Sequence, residues 1–533
     1  MAFDGITIPF PVGQQGFNGA RNPSKLAPEH ASYLEGVDLD GGIVVKDGGA
    51  LKLNSTTLGS GSIVRAGINW SPTAGENNDV VLLASGAVLK DTGAGTFGTT
   101  LRTGLSDLAE PPPIFIAAGG EVGGQPRKLF LFSQGHQAQV VLGTAGSMAA
   151  ISTPAADWAS AFPAAGCLHG LRLWGYGNGN DPHRMYYSTL ADHQDFTGSG
   201  SGTLAIYPGE GQTIAGAVSF RGLLVVFKYP VGIYLIDTRD PTVANWTVVP
   251  LSRAVGAVNQ HCIVPIENDI LYMDAGGNFH LLSATSDLGD INTSNISIKS
   301  DIGPFMRTYA SLTNLRRSNG IWYANKRKAW FVLPQVGATS PTLRVMIDFN
   351  DQQYGARYLL SRRDVAISMW MRPGGDKIYK PVQGDDTGFI RIMDQDARNV
   401  DGLAYIMDME TADTDFSFAE PSLASKNKMG KFLEIECDLV RETYLTVVPY
   451  WDTIPGDPLQ FHIGEGAVGL NSFQLDIHAL SSTGSIIVRR RLTGEGRKLR
   501  LKITNNVLDD ELRIAQVRVA LAIGDEKTSP RSS

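Results

Sequence analysis

AGCLHGLRLWGYGNGNDPHRMYYSTLADHQDF, residues 165–196, is the stretch from which the fold class of this chain can be predicted. Leu171 and Leu173 alternate with polar or small neighbours. A Gly-Asn run at 175–181 supplies a turn, and the apolar alternation resumes at 185–187. This period of two is typical of a β-hairpin. Because one hairpin is not stable alone, the fold depends on similar units elsewhere in the chain.

Similar units recur over residues 55–410 at a spacing of about 45–60 residues, within or just above the range of propeller blades. Each unit has two nearly all-apolar segments around a turn, which favours inner strands buried on both faces. The turn centres are Ser85-Gly86, Gln134-Gly135, 177–179, Tyr229-Pro230, 275–278, 334–337 and 383–386. The sequence therefore predicts an all-β chain with a β-propeller of six or seven divergent blades. A series of β-sandwiches is the alternative, but it would show turns about every 8–12 residues without the longer period.

The two ends of the chain differ from this repetitive body. Residues 1–54 have little periodicity and many Gly and Pro residues, so we expect an N-terminal extended arm that is either disordered or ordered only by contact with something else, such as a neighbouring subunit. Within it, a short helix is expected over 29–35, just after Pro28. Over 411–533 the alternating strands follow more closely, which predicts a C-terminal antiparallel β-sandwich. Its expected strands are 431–439, 444–450, 473–477, 486–490, 499–503 and 512–523.

Composition limits the compartment and the class of partner. The chain carries 46 Lys and Arg against 53 Asp and Glu, a net charge of −7, which disfavours a protein that holds nucleic acid through its phosphates. The same net charge is compatible with a protein past which nucleic acid moves without being held. Cys167, Cys262 and Cys437 are widely spaced, and we interpret them as buried, reduced thiols. We expect no secretory signal and no membrane-spanning segment.

Signals for chemistry are weak, and we predict no catalytic residue, no metal and no cofactor. No nucleotide-binding, zinc-protease or serine-hydrolase motif occurs. A metal or acid/base cluster is conceivable among His169, His183, His193, Asp181, Asp192 and Asp195, although solvated turns are the favoured interpretation. Two acidic pairs would suit a glycosidase, Asp385 with Asp386 and Asp394 with Asp396, but no sialidase box accompanies them.

The strongest charged feature is a basic stretch around a turn at 494–496. The functional interpretation is a basic hairpin that contacts phosphates or an acidic partner surface. The favoured interpretation is an outward strand face with its turn, on which alternation would place two of the cations side by side. The candidate partner-contact residues are Arg489, Arg490, Arg491, Arg497, Lys498, Arg500 and Lys502.

Four parts of the chain resemble the tail nozzle, or tail hub, proteins of short-tailed bacteriophages, the family also called tubular tail protein B. GFNGARNPSKLAPEHASYLEGVDLDGGIVVKDGGA, 16–50, looks like the family's Gly-rich opening. LHGLRLWGYGNGNDPHRMYYSTLADHQDF, 168–196, is similar to a hairpin with an Arg-Trp strand and a Tyr-Ser strand, and AVGAVNQHCIVPIENDILYMDAGGNFHLL, 254–282, to the next blade. SIIVRRRLTGEGRKLRLKI, 485–503, followed by LRIAQVRVALAI, resembles the family's terminal strands.

The resemblance implies a structural virion protein of the tail that is not an enzyme and is assembled in the host cytoplasm. Such a protein forms a homo-oligomeric ring, expected to be a hexamer, below the portal and its adaptor. It would extend the channel, retain the genome and pass it during DNA ejection, with double-stranded DNA crossing the lumen without specific binding. Tail fibres or tailspikes, and a needle or plug protein, are the further partners it implies.

The alternative function is a carbohydrate-binding or glycan-hydrolysing β-propeller that recognises a receptor. It needs a concave site with aromatic faces or paired carboxylates. The aromatic faces available for stacking on sugars would be Trp174, Tyr176, Tyr186 and Tyr187.

Overall fold

The computed structural model describes residues 5–19, 22–73, 75–93, 95–105, 110–119, 126–159, 161–209, 212–284, 291–295, 302–350, 357–362, 365–374, 378–438, 443–463 and 485–524. Strand makes up 51% and helix 8% of the structure, which confirms the predicted all-β class. An α-helix, α1, covers Gly303–Tyr309. Short 3-10 helices cover Pro23–Lys25, Leu58–Ser60, Ala156–Ala159, Val243–Asn245, Gln260–Cys262, Leu312–Arg317, Ala324–Lys326 and Pro421–Leu423.

Five strands lie in the first part of the chain: β1 (Gly5–Phe10), β2 (Ala31–Glu35), β3 (Val37–Asp40), β4 (Ile43–Lys46) and β5 (Gly49–Lys52). The helix predicted over 29–35 is therefore wrong. Ala31 and Leu34 are fully buried, and the backbone around them pairs with a distant strand instead of with itself. Gly41 and Gly42 have positive φ angles of 57° and 89°, which a two-residue turn between β3 and β4 requires.

Four-stranded antiparallel sheets follow one another along the chain. The first two are β6 (Val64–Trp70), β7 (Asn78–Leu83), β8 (Val88–Lys90), β9 (Thr99–Arg102), then β10 (Ile114–Ala118), β11 (Lys128–Ser133), β12 (His136–Leu142), β13 (Ala149–Ala150). The third is β14 (Ala165–His169), β15 (Arg172–Tyr176), β16 (Arg184–Tyr187), β17 (Gly202–Ala205). The fourth and fifth are β18 (Thr213–Phe220), β19 (Leu223–Tyr229), β20 (Ile233–Asp237), β21 (Thr247–Ser252), then β22 (Ile263–Ile266), β23 (Asp269–Met273), β24 (Phe279–Ala284), β25 (Ile291–Asn295).

Two further groups continue this pattern, each with a link to another part of the chain. Strands β26 (Asn319–Tyr323), β27 (Lys328–Pro334), β28 (Pro341–Asp348) and β29 (Arg357–Arg362) form one end of a ten-stranded sheet. Strands β30 (Ser368–Pro373), β31 (Tyr379–Gly384) and β32 (Ile390–Gln395) take β5 as their fourth strand. The start of the chain thus completes the last of these small sheets.

The predicted turn centres lie between the second and third strands of these groups or overlap the end of the second strand. In the third sheet, for example, Trp174 of β15 pairs with Tyr187 of β16 across the turn predicted at 177–179. The hairpins predicted from period-two alternation are therefore confirmed. Leu171 lies in the preceding turn, with a positive φ of 59°, so β15 begins one residue later than the alternation indicated.

The first strands of the seven groups contact one another in a closed order. β6 contacts β10, β10 contacts β14, β14 contacts β18, β18 contacts β22, β22 contacts β26, β26 contacts β30, and β30 contacts β6. Small residues allow this approach. A Cβ added at Gly67 of β6 would lie 2.4 Å from the Trp370 ring of β30, and one at Gly216 of β18 would lie 2.3 Å from Ile263 of β22. A larger side chain at either glycine would push the two strands apart.

The remaining strands belong to the last part of the chain: β33 (Met407–Thr411), β34 (Lys428–Asp438), β35 (Thr443–Trp451), β36 (Ile454–Pro455), β37 (Leu459–Ile463), β38 (Ser485–Arg491), β39 (Glu495–Gly496), β40 (Leu499–Asn505) and β41 (Arg513–Ile523). One sheet has the order β3-β4-β41-β34-β38, with β1 also on β41 and β39 on β34. The ten-stranded sheet continues from β29 through β2, β33, β40 and β35 to β36, with β37 also on β35. These strands confirm the expected C-terminal strands, except 473–477, which lies outside the described residues.

Residues of both large sheets share one hydrophobic core. It contains Leu433 and Ile435 from β34, Leu501 and Ile503 from β40, and Leu34 from β2. The first part of the chain is therefore not ordered only by a neighbouring subunit, because β1, β2, β4 and β5 pair with strands from later parts of the same chain, and β3 pairs with β4. The domain boundaries at residues 54 and 410 stay predictions.

Candidate functional site

The predicted basic hairpin is not a hairpin, because its two strands belong to different sheets. β38 pairs with β34, whereas β40 lies between β33 and β35. The connection between them crosses from one sheet to the other, and Gly494 adopts a φ of 105° where a Cβ would lie 2.4 Å from Trp451. The candidate cations therefore lie on two separate sheet faces.

The first face belongs to the sheet that contains β34, β38 and β41. Arg489 of β38 lies directly opposite Glu434 of β34, and its Nε donates a 2.7 Å hydrogen bond to Glu434 Oε1. On the other side of β34, Arg518 Nη2 donates to Glu436 Oε2 at 2.7 Å. Arg513 bonds Asp438 in the same way. Basic and acidic side chains therefore alternate across this face.

The second face belongs to the ten-stranded sheet. Arg500 and Lys502 of β40 both point outward, as strand alternation predicts. The residues that alternate with them, Leu499, Leu501 and Ile503, are buried. Lys502 Nζ lies 3.0 Å from Asp408 Oδ2 and 3.4 Å from Glu410 Oε1, both on β33. Arg500 and Lys502 therefore lie side by side on one strand face, as the alternation predicted.

Arg500 is held by three groups on this second face. Its Nη1 lies 3.4 Å from Glu410 Oε2, and its Nε lies 3.6 Å from Asp413 Oδ1. The guanidinium also lies 4.6 Å from the centre of the Tyr450 ring, a cation–π distance. The Arg500 side chain is only 16% exposed, so its charge is largely covered by groups of its own chain.

A shallow cleft of about 410 Å³ lies over the second face. Its lining combines Pro23 with polar and charged groups from three neighbouring strands: Ser32, Tyr33, Asp408, Glu410, Arg500 and Lys502. Partial burial lowers the pKa of Lys502, but hydrogen bonds and charge from Asp408 and Glu410 outweigh this effect and raise it overall. Lys502 therefore stays protonated and paired at neutral pH.

The other four candidate cations lie near the ends of the two strands. Arg490 Nε donates to the backbone oxygen of Gln460 at 2.9 Å and so joins the two sheets. The backbone nitrogens of Arg497 and Lys498 donate to the Asp452 carboxylate at 3.0 and 2.9 Å. Within the part of the chain that the structure describes, the exposed side chains of Arg491 and Arg497 form no ion pair. These two are the candidates left for contact with a partner.

The sequence reasoning missed the carboxylates that oppose these cations. Glu434, Glu436 and Asp438 alternate along β34, and Asp408 and Glu410 alternate along β33. The alternating acids in MDMET and LEIECD could have indicated these partners. Oppositely charged side chains that face each other on neighbouring strands stabilise a sheet.

The histidines and aspartates of the opening stretch do not form a cluster. His169 is buried between Ser219 Oγ, at 2.8 Å, and Thr238 Oγ1, at 2.7 Å, and burial lowers its pKa. Asp195 caps a turn through the backbone N–H of Gly198, at 2.8 Å. No group of three His, Cys, Asp or Glu side chains able to hold a metal ion occurs in the described ranges.

One carboxylate of each acidic pair considered for a glycosidase has structural partners. Asp385 accepts hydrogen bonds from the N–H groups of Thr387 and Phe389, both at 2.8 Å, and from Arg391. Asp394 accepts from Tyr323 Oη at 2.8 Å and from Lys326 Nζ at 2.7 Å. Both carboxylates therefore stabilise turns and sheet contacts.

The aromatic residues proposed as sugar-stacking faces are buried. Trp174, Tyr176 and Tyr186 are 0% exposed and Tyr187 is 5% exposed. Tyr176 Oη also lies 2.5 Å from Gln260 Oε1, inside the contact between neighbouring sheets. The assignment of these four side chains to a ligand surface was wrong, because apolar alternation in a strand does not reveal that both of its faces are covered.

No protein-family model matches this chain, and no curated protein matches it either. A helix long and apolar enough to cross a lipid bilayer is not found among the residues that the structure describes.

Proposed function

We propose that this chain is a structural virion protein that forms the tail nozzle or hub ring of a short-tailed phage. In this role six copies surround a channel below the portal and adaptor, hold the genome until adsorption and let it pass during ejection. Tail fibres or tailspikes would attach to the outside of the ring. The proposal begins from the sequence resemblance, and the fold and the charged faces support it.

The finer fold belongs to the same proposal. The seven groups of strands form a seven-bladed propeller, and the two large sheets form a β-sandwich at its side. Support comes from the closed order of contacts among the first strands and from β5, which supplies the fourth strand to the last group. Strand exchange between the two ends of a chain closes a ring without leaving a free edge.

The observation that carries the function is the neutralisation of the basic strands by carboxylates of the same chain. A cation that contacts phosphate must be free to replace counterions. Arg489, Arg500 and Lys502 are instead paired with Glu434, Glu410 and Asp408. Sheet faces neutralised in this way would attract DNA weakly, which suits a protein past which a genome must slide.

Duplex DNA binding by the purified protein tests this proposal. At about 50–100 mM salt we expect affinity no tighter than roughly 10⁻⁶ M. The double variant Arg491→Glu with Arg497→Glu removes exposed cations without breaking an in-chain pair, so DNA affinity should stay nearly the same while assembly is impaired. Arg489→Ala, which removes the nearer of the two arginines paired with Glu434, is the matched control for a fold defect.

Sub-micromolar binding with a steep salt dependence would contradict the passive passage, above all if the double variant abolished it. The fold does not favour the glycan-directed alternative, because the four aromatic side chains are buried and one carboxylate of each acidic pair, Asp385 and Asp394, is bonded inside the fold.

A further inference from the structure

Lys46, Asn505 and Asp510 meet inside the unit formed by the two large sheets. Lys46 ends β4 of one sheet, and Asn505 ends β40 of the other. Lys46 is 0% exposed, and Asn505 and Asp510 are each 2% exposed. An amine, a carboxamide and a carboxyl group are thus enclosed together, although the first two are 459 positions apart in the chain.

The hydrogen bonds show which group lies against which end of the Asn505 carboxamide. Lys46 Nζ donates to Asn505 Oδ1 at 2.9 Å and to the backbone oxygen of Val507 at 2.7 Å. Asn505 Nδ2 donates to Asp510 Oδ2 at 2.6 Å. The amine therefore lies against the carbonyl end of the carboxamide, and the carboxyl group lies against its nitrogen.

The neighbours hold this arrangement and exclude water from it. Asn505 Nδ2 is also within 3.0 Å of Thr443 Oγ1 and of the Tyr444 backbone oxygen. Thr443 Oγ1 in turn donates to Asp510 Oδ2. Lys46 Nζ lies 4.8 Å from the centre of the Tyr405 ring, which covers it with an apolar surface.

Burial also favours the neutral form of the Asp510 carboxyl group. It raises the pKa of Asp510, although hydrogen bonds from Thr443 and Asn505 and the charge of Lys46 oppose the rise. An uncharged amine is a nucleophile, and a protonated carboxyl group is a general acid.

We propose that Lys46 and Asn505 join through an intramolecular isopeptide bond, with Asp510 as the catalytic acid and base. The lone pair of neutral Lys46 Nζ attacks Asn505 Cγ, so the Nζ–Cγ bond forms. The Cγ–Nδ2 bond then breaks as Asp510 gives its proton to Nδ2 and takes one from Nζ. Ammonia leaves, Asp510 is regenerated, and the reaction needs no oxidant or co-reactant.

The bond would connect the two sheets covalently. It would tie the first part of the chain to β40, close to where β4 also pairs with β41. A particle that retains pressurised DNA benefits from such a tie, because a covalent cross-link resists forced separation of the strands. This inference does not depend on the proposed tail function, since it rests on the three side chains alone.

Intact-mass spectrometry of the full-length purified protein tests it. We expect the wild-type chain to be lighter than its sequence by one ammonia, and digestion to give one branched peptide containing both Lys46 and Asn505. Lys46→Met and Asn505→Ala should restore the full mass. Asp510→Asn should slow the loss of ammonia by about a hundredfold or more, the usual contribution of a positioned acid or base.

Lys428→Met is the matched control, because Lys428 is also 0% exposed but its Nζ donates to two backbone oxygens, those of Lys426 and Arg497. It should keep the ammonia loss. A folded wild-type protein with its full sequence mass would overturn the proposal. So would a loss that persists in Lys46→Met and maps to an Asn-Gly step such as 178–179, where a succinimide releases the same ammonia.

Discussion

Asp38→Asn should weaken the contact between the first strands and the repetitive part of the chain by about 3 kcal/mol. Asp38, on β3, is 9% exposed and forms an ion pair with Lys328 of β27, whose side chain is 3% exposed. Lys326 Nζ also lies 3.6 Å from Asp38 Oδ2 and 2.7 Å from Asp394 Oδ1. The variant leaves a buried ammonium without its nearest carboxylate.

The magnitude follows from what remains around Lys328. Removing one partner of a buried pair costs about 3–5 kcal/mol. Asp348 stays 4.0 Å from Lys328 Nζ and compensates part of the charge, so we expect the lower end of that range. The double variant Asp38→Leu with Lys328→Met removes both charges and should recover most of the lost free energy of unfolding.

Urea unfolding followed by tryptophan fluorescence, at two pH values, measures the free energy of unfolding of the wild type and of both variants. Burial raises the pKa of Asp38, but Lys328 and Lys326 outweigh it, and the net pKa lies below the ordinary value of 3.8. The stabilisation by the carboxylate is therefore present above pH 3.8 and lost as the pH falls through the folded-state pKa. A change in Asp38→Asn below about 0.5 kcal/mol at pH 7, or a double variant no better than the single one, would refute the reasoning.

Three further outcomes are expected. Burial lowers the pKa of Lys428 from the ordinary value of 10.5 to about 8. As the pH increases from about 8 to 10.5, the wild-type free energy of unfolding should therefore increase, by at most about 3 kcal/mol. Lys428→Met should remove this increase. Gly67→Ala should lower the free energy of unfolding by about 1–3 kcal/mol because its Cβ would meet the Trp370 ring, whereas Gly146→Ala, with open space around it, should change it by less than about 0.5 kcal/mol in a urea titration. The three cysteines are buried with raised pKa values, so a thiol reagent should label them slowly in the native protein and quickly in denaturant; rapid native labelling would contradict their burial.

Much of the fold could be predicted because hairpins are local. The turn at 177–179 and its flanking alternation specify β15 and β16 without knowledge of distant residues. The places of β1 and β4 could not be found in this way. Both pair with β41, hundreds of residues away, and their short apolar patterns do not indicate which strand they pair with.

The candidate site shows the same limit. Alternation correctly placed Arg500 and Lys502 on one face of a strand. It could not reveal that β38 and β40 lie in different sheets, because a Gly-rich link suits a hairpin and a sheet crossing equally well. One repeated signal was overlooked: small pairs such as Ala66-Gly67 and Ala165-Gly166 mark first strands that pack closely on their neighbours.

Light scattering during size-exclusion chromatography, combined with negative-stain images of the eluted particles, tests the central proposal most directly. A tail nozzle should elute as a homo-oligomer and show, in end views, a ring of six copies around an open lumen. A compact monomer at every concentration tested, with no ring in the images, would contradict the proposed role.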